Sequence, residues 1–146
     1  MAVKPIPEGF HSVTPYLVVN EADKLISFLQ KAFGAKEVLR HEGPGGKIAH
    51  AEVRVGDSMI MLGQANERAQ AYSATLYHYV PDVDATFKQA VQAGGKPLME
   101  PTDMFYGDRN GAVTDPCGNS WWIGTHKEDV SAEEVARRSK AYMAKK

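Results

Sequence analysis

One cysteine, Cys117, in 146 residues leaves nothing for an internal disulfide framework and fits a reducing compartment. An excess of either charge is also missing: 17 Lys and Arg stand against 18 Asp and Glu, a formal net charge of -1, with the basic residues scattered except at the terminal Lys145 and Lys146. Nucleic acid is therefore not an expected partner, because neutralising phosphates takes clustered cations. No apolar run nears the roughly 18 residues a membrane span needs, and the opening "MAVKPIPEGFHS" lacks a signal-peptide core. The chain reads as cytoplasmic, with no membrane partner. No HExxH or HxxxH spacing and no serine-hydrolase signature occurs. The Gly-Gly-Lys triplets at 45–47 and 94–96 lack the Walker spacing and read as turns.

What is present is a composition of 43% hydrophobic and 24% charged residues, that of an ordinary globular domain. The length is enough to bury roughly two thirds of the unfolded surface. The strongest pattern is an internal repeat. A shift of 61 positions places Val19 on Val80, Asp23 on Asp84 and Gly34 on Gly95. Each copy is a unit that cannot bury its apolar face alone, so the two must pack together.

In the first copy, "SVTPYLVVN" is a β-branched and aromatic run ending at Asn20, a residue type suited to cap the following helix. Ala22, Leu25, Ile26, Leu29, Ala32 and Phe33 then recur at helical spacing, and Gly34 can take the left-handed conformation that ends a helix. Three strand patterns follow, separated by Gly-Pro-Gly-Gly at 43–46 and by Gly56-Asp57. The second copy repeats the order, with Asp82 as helix cap, Gly94-Gly95 as stop and Pro-Cys-Gly-Asn at 116–119 as the last turn. Ser131 and Glu134 stand at capping-box spacing and predict a further helix over about 131–143. The expected fold is α+β. It is one domain over 1–146 made of two βαβββ repeats, about 10–64 and 74–126, joined by a linker at 65–73. The repeats form a concave, barrel-like mixed sheet with helices outside and a C-terminal helix.

Two βαβββ units with "DPCGN" before the last strand resemble the vicinal oxygen chelate superfamily of glyoxalases, bleomycin-resistance proteins and extradiol dioxygenases. Within it the chain is most similar to the PhnB-like proteins, through "TPYLVV" at 14–19, "AFGAKE" at 32–37, "HAEVRVGDSMIML" at 50–62 and "MFYGDRNGAVTDPCGNSWWIGTHKEDVS" at 104–131. The resemblance implies a small-molecule ligand and a homodimer. It also implies where a divalent metal sits in the superfamily's enzymes, on the first and last strands of each unit. Here those positions are Thr14, Met61 (or Ile60 with a one-residue difference in the hairpin), Thr75 and Trp122, none an ordinary ligand for Zn, Fe, Mn or Ni. The expected cofactor is none, with a displaced metal site as the alternative.

On "IAHAEVRV" the alternation puts His50, Glu52 and Arg54 on the face opposite Ala49, Ala51, Val53 and Val55. His50 and Glu52 suit a surface network, a displaced two-ligand metal site or a general base. His78 reads as a packed core histidine and Cys117 as an apolar plug in its turn. If the metal positions implied by the resemblance mark the concave face, Thr14, Tyr16, Thr75, Tyr77 and Tyr79 point inward, joined by Met59, Met61 and Trp122, with Tyr106, Asp108 and Arg109 closing one end. An aromatic and thioether lining with few polar groups suits a flat or amphipathic ligand. Three functional classes stay open: a metal-free binding protein, a lyase, isomerase or dioxygenase with displaced ligands, and a protein-interaction module.

Overall fold

The computed structural model describes residues 2–146. Strand β1 (Tyr16–Val19), helix α1 (Ala22–Phe33) and strands β2 (Lys36–Glu42), β3 (Ile48–Val55) and β4 (Ser58–Gln64) form the first unit. The second is β5 (Thr75–Tyr79), α2 (Val83–Gln92), β6 (Lys96–Asp103), β7 (Asp108–Thr114) and β8 (Ser120–His126), followed by α3 (Ala132–Ala144). Each unit is a four-stranded mixed sheet, ordered β1-β4-β3-β2 and β5-β8-β7-β6. The first strand of each runs parallel to the last and the remaining pairs are antiparallel. The βαβββ architecture is the one the repeat implies, but the sheets remain two and do not close into a barrel.

The helices cover the sheet faces predicted from periodicity. α1 buries Leu25, Ile26, Phe28 and Leu29, which join Leu17, Val19, Val53 and Leu62 in the core. α2 adds Val83, Phe87 and Ala90, and Trp121, Val113 and Ile123 complete the same cluster. The two helices also pack on each other. The close approach is visible at Gly95, where a Cβ would stand 2.9 Å from the Ala90 carbonyl and 3.3 Å from the Phe28 ring.

Gly34 ends α1 at φ 66°, ψ 27°, as its position predicts. The start of α1 differs from expectation. Asn20 does not cap it; the cap position is Glu21, which makes no side-chain capping bond. The end of β4 does the work instead: Gln64 accepts from the Ala22 N–H at 3.2 Å and donates to the Asn20 carbonyl. A long-range amide has replaced a local cap. Asp82 and Ser131 do cap α2 and α3, accepting from the N–H groups of Ala85 and Glu134 at 3.2 Å each.

The linker has a structural role. Tyr72 donates its N–H to the Val18 carbonyl at 3.2 Å and its hydroxyl to the Tyr16 carbonyl, covering the free edge of β1. α3 buries none of its residues fully. Tyr142 lies with its ring centroid 5.2 Å from that of Phe105, while Arg138 pairs with Glu128 at 3.0 Å. No described helix is long and apolar enough to cross a membrane.

Candidate functional site

Because α1 takes one face of the first sheet, β1 presents Tyr16 and Val18 on the other. Tyr16 is paired with Met61 and Met61 with Glu52, so all three stand in one row across β1, β4 and β3. The Tyr16 side chain crosses the sheet at Gly63, where a Cβ would come within 3.2 Å of its hydroxyl. It ends at His50, with Oη and Nδ1 3.1 Å apart, and His50 Nε2 lies 3.1 Å from Glu52 Oε2. The carboxylate only accepts, so in the neutral imidazole Nε2 carries the hydrogen and Nδ1 is left to accept from Tyr16. The order of donation is therefore Tyr16 to His50 to Glu52. His50 and Glu52, read from sequence without a third partner, have one in Tyr16.

The second sheet repeats the arrangement 61 positions on. Tyr77 crosses Gly124, where a Cβ would fall 2.5 Å from its hydroxyl and 2.8 Å from Cε1. Asn110, paired with Gly124, takes the place that His50 holds beside Gly63. Tyr77 and Tyr79 both donate to Asp108 Oδ2 at 2.8 Å, and their ring centroids are 4.9 Å apart. Asn110 Nδ2 donates to Tyr77 at 3.0 Å and to Tyr106 at 2.5 Å. His126 bridges two carboxylates, Nδ1 to Asp108 at 2.8 Å and Nε2 to Asp129 at 2.7 Å.

Asp108 is only 5% exposed. Burial pushes its carboxyl up, but the hydrogen bonds from His126, Tyr79 and Tyr77 outweigh burial and hold it below its ordinary value. Tyr77 is raised, chiefly by burial and then by its carboxylate neighbour, and Tyr79 is raised first by its bond to Asp108. His126 is raised above its ordinary value by Asp108 and then by Asp129. A histidine raised in the folded state contributes stability that is complete below its unfolded value, near 6.5, and is lost as pH climbs through the higher folded value. Unfolding in urea at pH 6, 7 and 8 should therefore show a fall in stability with pH that is flattened in His126→Gln. An identical fall in the variant would show that this bridge is not its source.

The other predicted residues divide. Met61 and Trp122 sit in the rows of Tyr16 and Tyr77, and Met59 pairs with Arg54 but is buried. Thr75 pairs with Ser120, while Thr14 donates to the His11 carbonyl at 3.2 Å just before β1. Arg109 is a correction. Alternation turns it from Asp108 and Asn110 to the helix face, where Nε and Nη2 each meet Asp84 of α2 at 2.9 Å and Nη1 meets Asp103 at 3.3 Å. A cleft of about 430 Å³ lies between the β3–β4 turn and β5, lined by Asp57, Ser58, Ile60, His78 and Trp121, and of the predicted lining it takes Tyr77 and Tyr79.

His78 is half-buried with its ring centroid 4.8 Å from that of Phe33, and burial lowers its pKa. Cys117 packs on the core, and burial raises its thiol to about 11, which suits a plug and not a nucleophile. The positions marked by the resemblance for a divalent metal hold Thr14, Met61, Thr75 and Trp122. Among the described residues no three His, Cys, Asp or Glu side chains converge as ligands. Where carboxylates and imidazoles do meet, as at Asp108, His126 and Asp129, they are spent on one another in a chain.

Sequence reasoning missed His126, Asn110 and the two glycines. Parity from Tyr77 through Gly124 to His126 places that histidine on the open face. The glycines carried a signal too, because Gly63 and Gly124 stand 61 positions apart, as Tyr16 and Tyr77 do.

Residues 9–123 match the family model described as the Glyoxalase/Bleomycin resistance protein/Dioxygenase superfamily. An uncharacterized protein of Mycobacterium bovis is 33% identical over 135 residues, covering 85% of this chain and 89% of that protein. Among solved structures, TioX from Micromonospora sp. ML1 superposes with a TM-score of 0.68 at 23% identity, over 80% of this chain and 98% of TioX. A PhnB protein from Bacillus cereus superposes with a TM-score of 0.63 at 18% identity, over 79% and 99% of the two chains. These two likenesses concern the fold.

Proposed function

The chain belongs to the glyoxalase/bleomycin resistance protein/dioxygenase superfamily, and from that membership we propose that it is a PhnB-like, metal-free binding protein for a planar or amphipathic small molecule. The observation that carries this reading is the pair of tyrosines laid across glycines. Tyr16 and Tyr77 each keep about two fifths of their surface exposed, at 41% and 42%, while their hydroxyls are tied to the sheet. Such a ring is an apolar platform held in place before any ligand arrives, so little side-chain entropy is lost on binding. Tyr79, at 60% exposed, and Trp122 in the Tyr77 row extend the second platform.

Open platforms on two sheets suit a homodimer in which a second copy covers each face, and the single cysteine suits a cytoplasmic setting. Untagged protein incubated with Zn, Mn, Fe or Ni and then desalted should retain far less than one ion per chain, and should scatter light as a dimer. Near-stoichiometric retention would overturn the metal-free reading, and a monomer at tens of micromolar would overturn the dimer.

The Tyr16 to His50 to Glu52 chain favours a second reading, a metal-free acid–base enzyme with His50 as base. Turnover of any substrate that survives His50→Ala unchanged would eliminate it.

A further inference from the structure

The two tyrosine platforms share a backbone plan and differ in hydrogen-bond chemistry. A phenol has one hydrogen to give. In Tyr16 it is committed when His50 is neutral: Glu52 holds the hydrogen on His50 Nε2, and the bare Nδ1, 3.1 Å away, takes the Tyr16 hydrogen. No donor approaches the Tyr16 oxygen from within the described residues, so what it shows to a ligand is lone pairs. In Tyr77 the oxygen donates to Asp108 at 2.8 Å and also accepts from Asn110 at 3.0 Å, and Asn110 is fully buried. That oxygen is engaged in both directions.

Resting on the reading of these tyrosines as ligand platforms, we propose that the Tyr16 face is a donor-selective site for planar hydroxyaromatic ligands. The ligand's hydroxyl donates to the Tyr16 oxygen while its ring lies against Tyr16, Val18 and Met61. The direction of donation favours a hydroxyl over an ether or a carbonyl, since those would set lone pair against lone pair. It also favours an acidic hydroxyl. The chain ends on a carboxylate, and polarisation along Tyr16 and His50 makes the Tyr16 oxygen a better acceptor the more readily the ligand gives up its hydrogen. The repeat isolates the cause: with Asn110 in the place of His50, the Tyr77 face lacks this preference.

The test compares 2-naphthol with 2-methoxynaphthalene by isothermal titration of the full chain. The two have the same ring system and differ in the hydrogen. The expected result is at least about fivefold tighter binding of 2-naphthol, the scale of one net hydrogen bond. Tyr16→Phe should erase the preference by deleting the acceptor, and His50→Ala should narrow it from the other side, by freeing the Tyr16 hydrogen to donate outward and so tightening the methoxy compound towards 2-naphthol. Equal affinities in the unaltered protein would overturn donor selectivity while the platform reading stands. Preference that persists in Tyr16→Phe would also overturn it, and binding of neither compound would overturn both.

Discussion

Replacing Asp115 by Ala should lower the free energy of unfolding by about 4 kcal/mol, with a fall in melting temperature of roughly 10–15 °C for a domain of this size. Asp115 is buried, and its two oxygens accept four hydrogen bonds. The Cys117 and Asn119 N–H groups reach Oδ1 at 2.8 and 3.1 Å, and Asn119 Nδ2 and Trp121 Nε1 reach Oδ2 at 2.9 Å each. Removing the carboxylate strands these donors where water cannot easily replace it. The effect reaches the binding face as well, because this turn sets the register of β8 against β7, which places Gly124 beside Asn110 and His126 beside Asp108. Urea unfolding followed by tryptophan fluorescence measures it; a loss below about 1 kcal/mol, that of an ordinary surface change, would show that Asp115 does not hold the turn.

The second large effect separates two glycines that look alike. A methyl group on Gly124 collides with the far end of the Tyr77 ring, at 2.5 to 2.9 Å, and a ring can swing away. Gly124→Ala should therefore cost about 1 kcal/mol of stability, the scale of the displaced hydrogen bonds, yet weaken planar ligands on that face by about tenfold, the worth of one aromatic contact. A methyl group on Gly63 meets the Ala49 carbonyl at 2.6 Å, and backbone cannot swing. Gly63→Ala should cost about 2–3 kcal/mol as the strands part. Urea melts and naphthol titrations on both variants check the pair; equal stability losses, or unchanged binding in Gly124→Ala, would contradict the account.

The fold was legible because its signals are local and doubled. Helical spacing in Leu25, Ile26 and Leu29, the stop at Gly34, and the repeat of both at 61 positions leave few alternatives. The start of α1 was not legible, because Gln64 stands 42 residues from Ala22 and nothing near Asn20 announces it. Parity gave the faces of Tyr16, Tyr77, His50 and Glu52. The same rule applied strictly would have turned Arg109 away from Asp108 and kept His126 with it. What parity cannot give is direction within a face, such as a tyrosine lying flat across the neighbouring strand. That depends on a glycine in a strand that only the pairing register brings alongside.

The central claim, a metal-free platform for planar ligands, is tested most directly by NMR of the tyrosine rings. Protein with labelled tyrosines, stripped with chelator, is titrated with 2-naphthol, with Tyr16→Phe and Tyr77→Phe to assign the signals. The account predicts saturable shifts at Tyr16 and Tyr77 in the stripped protein and no change on adding back zinc or manganese. Rings that stay unmoved, or that respond only once metal is restored, would contradict it.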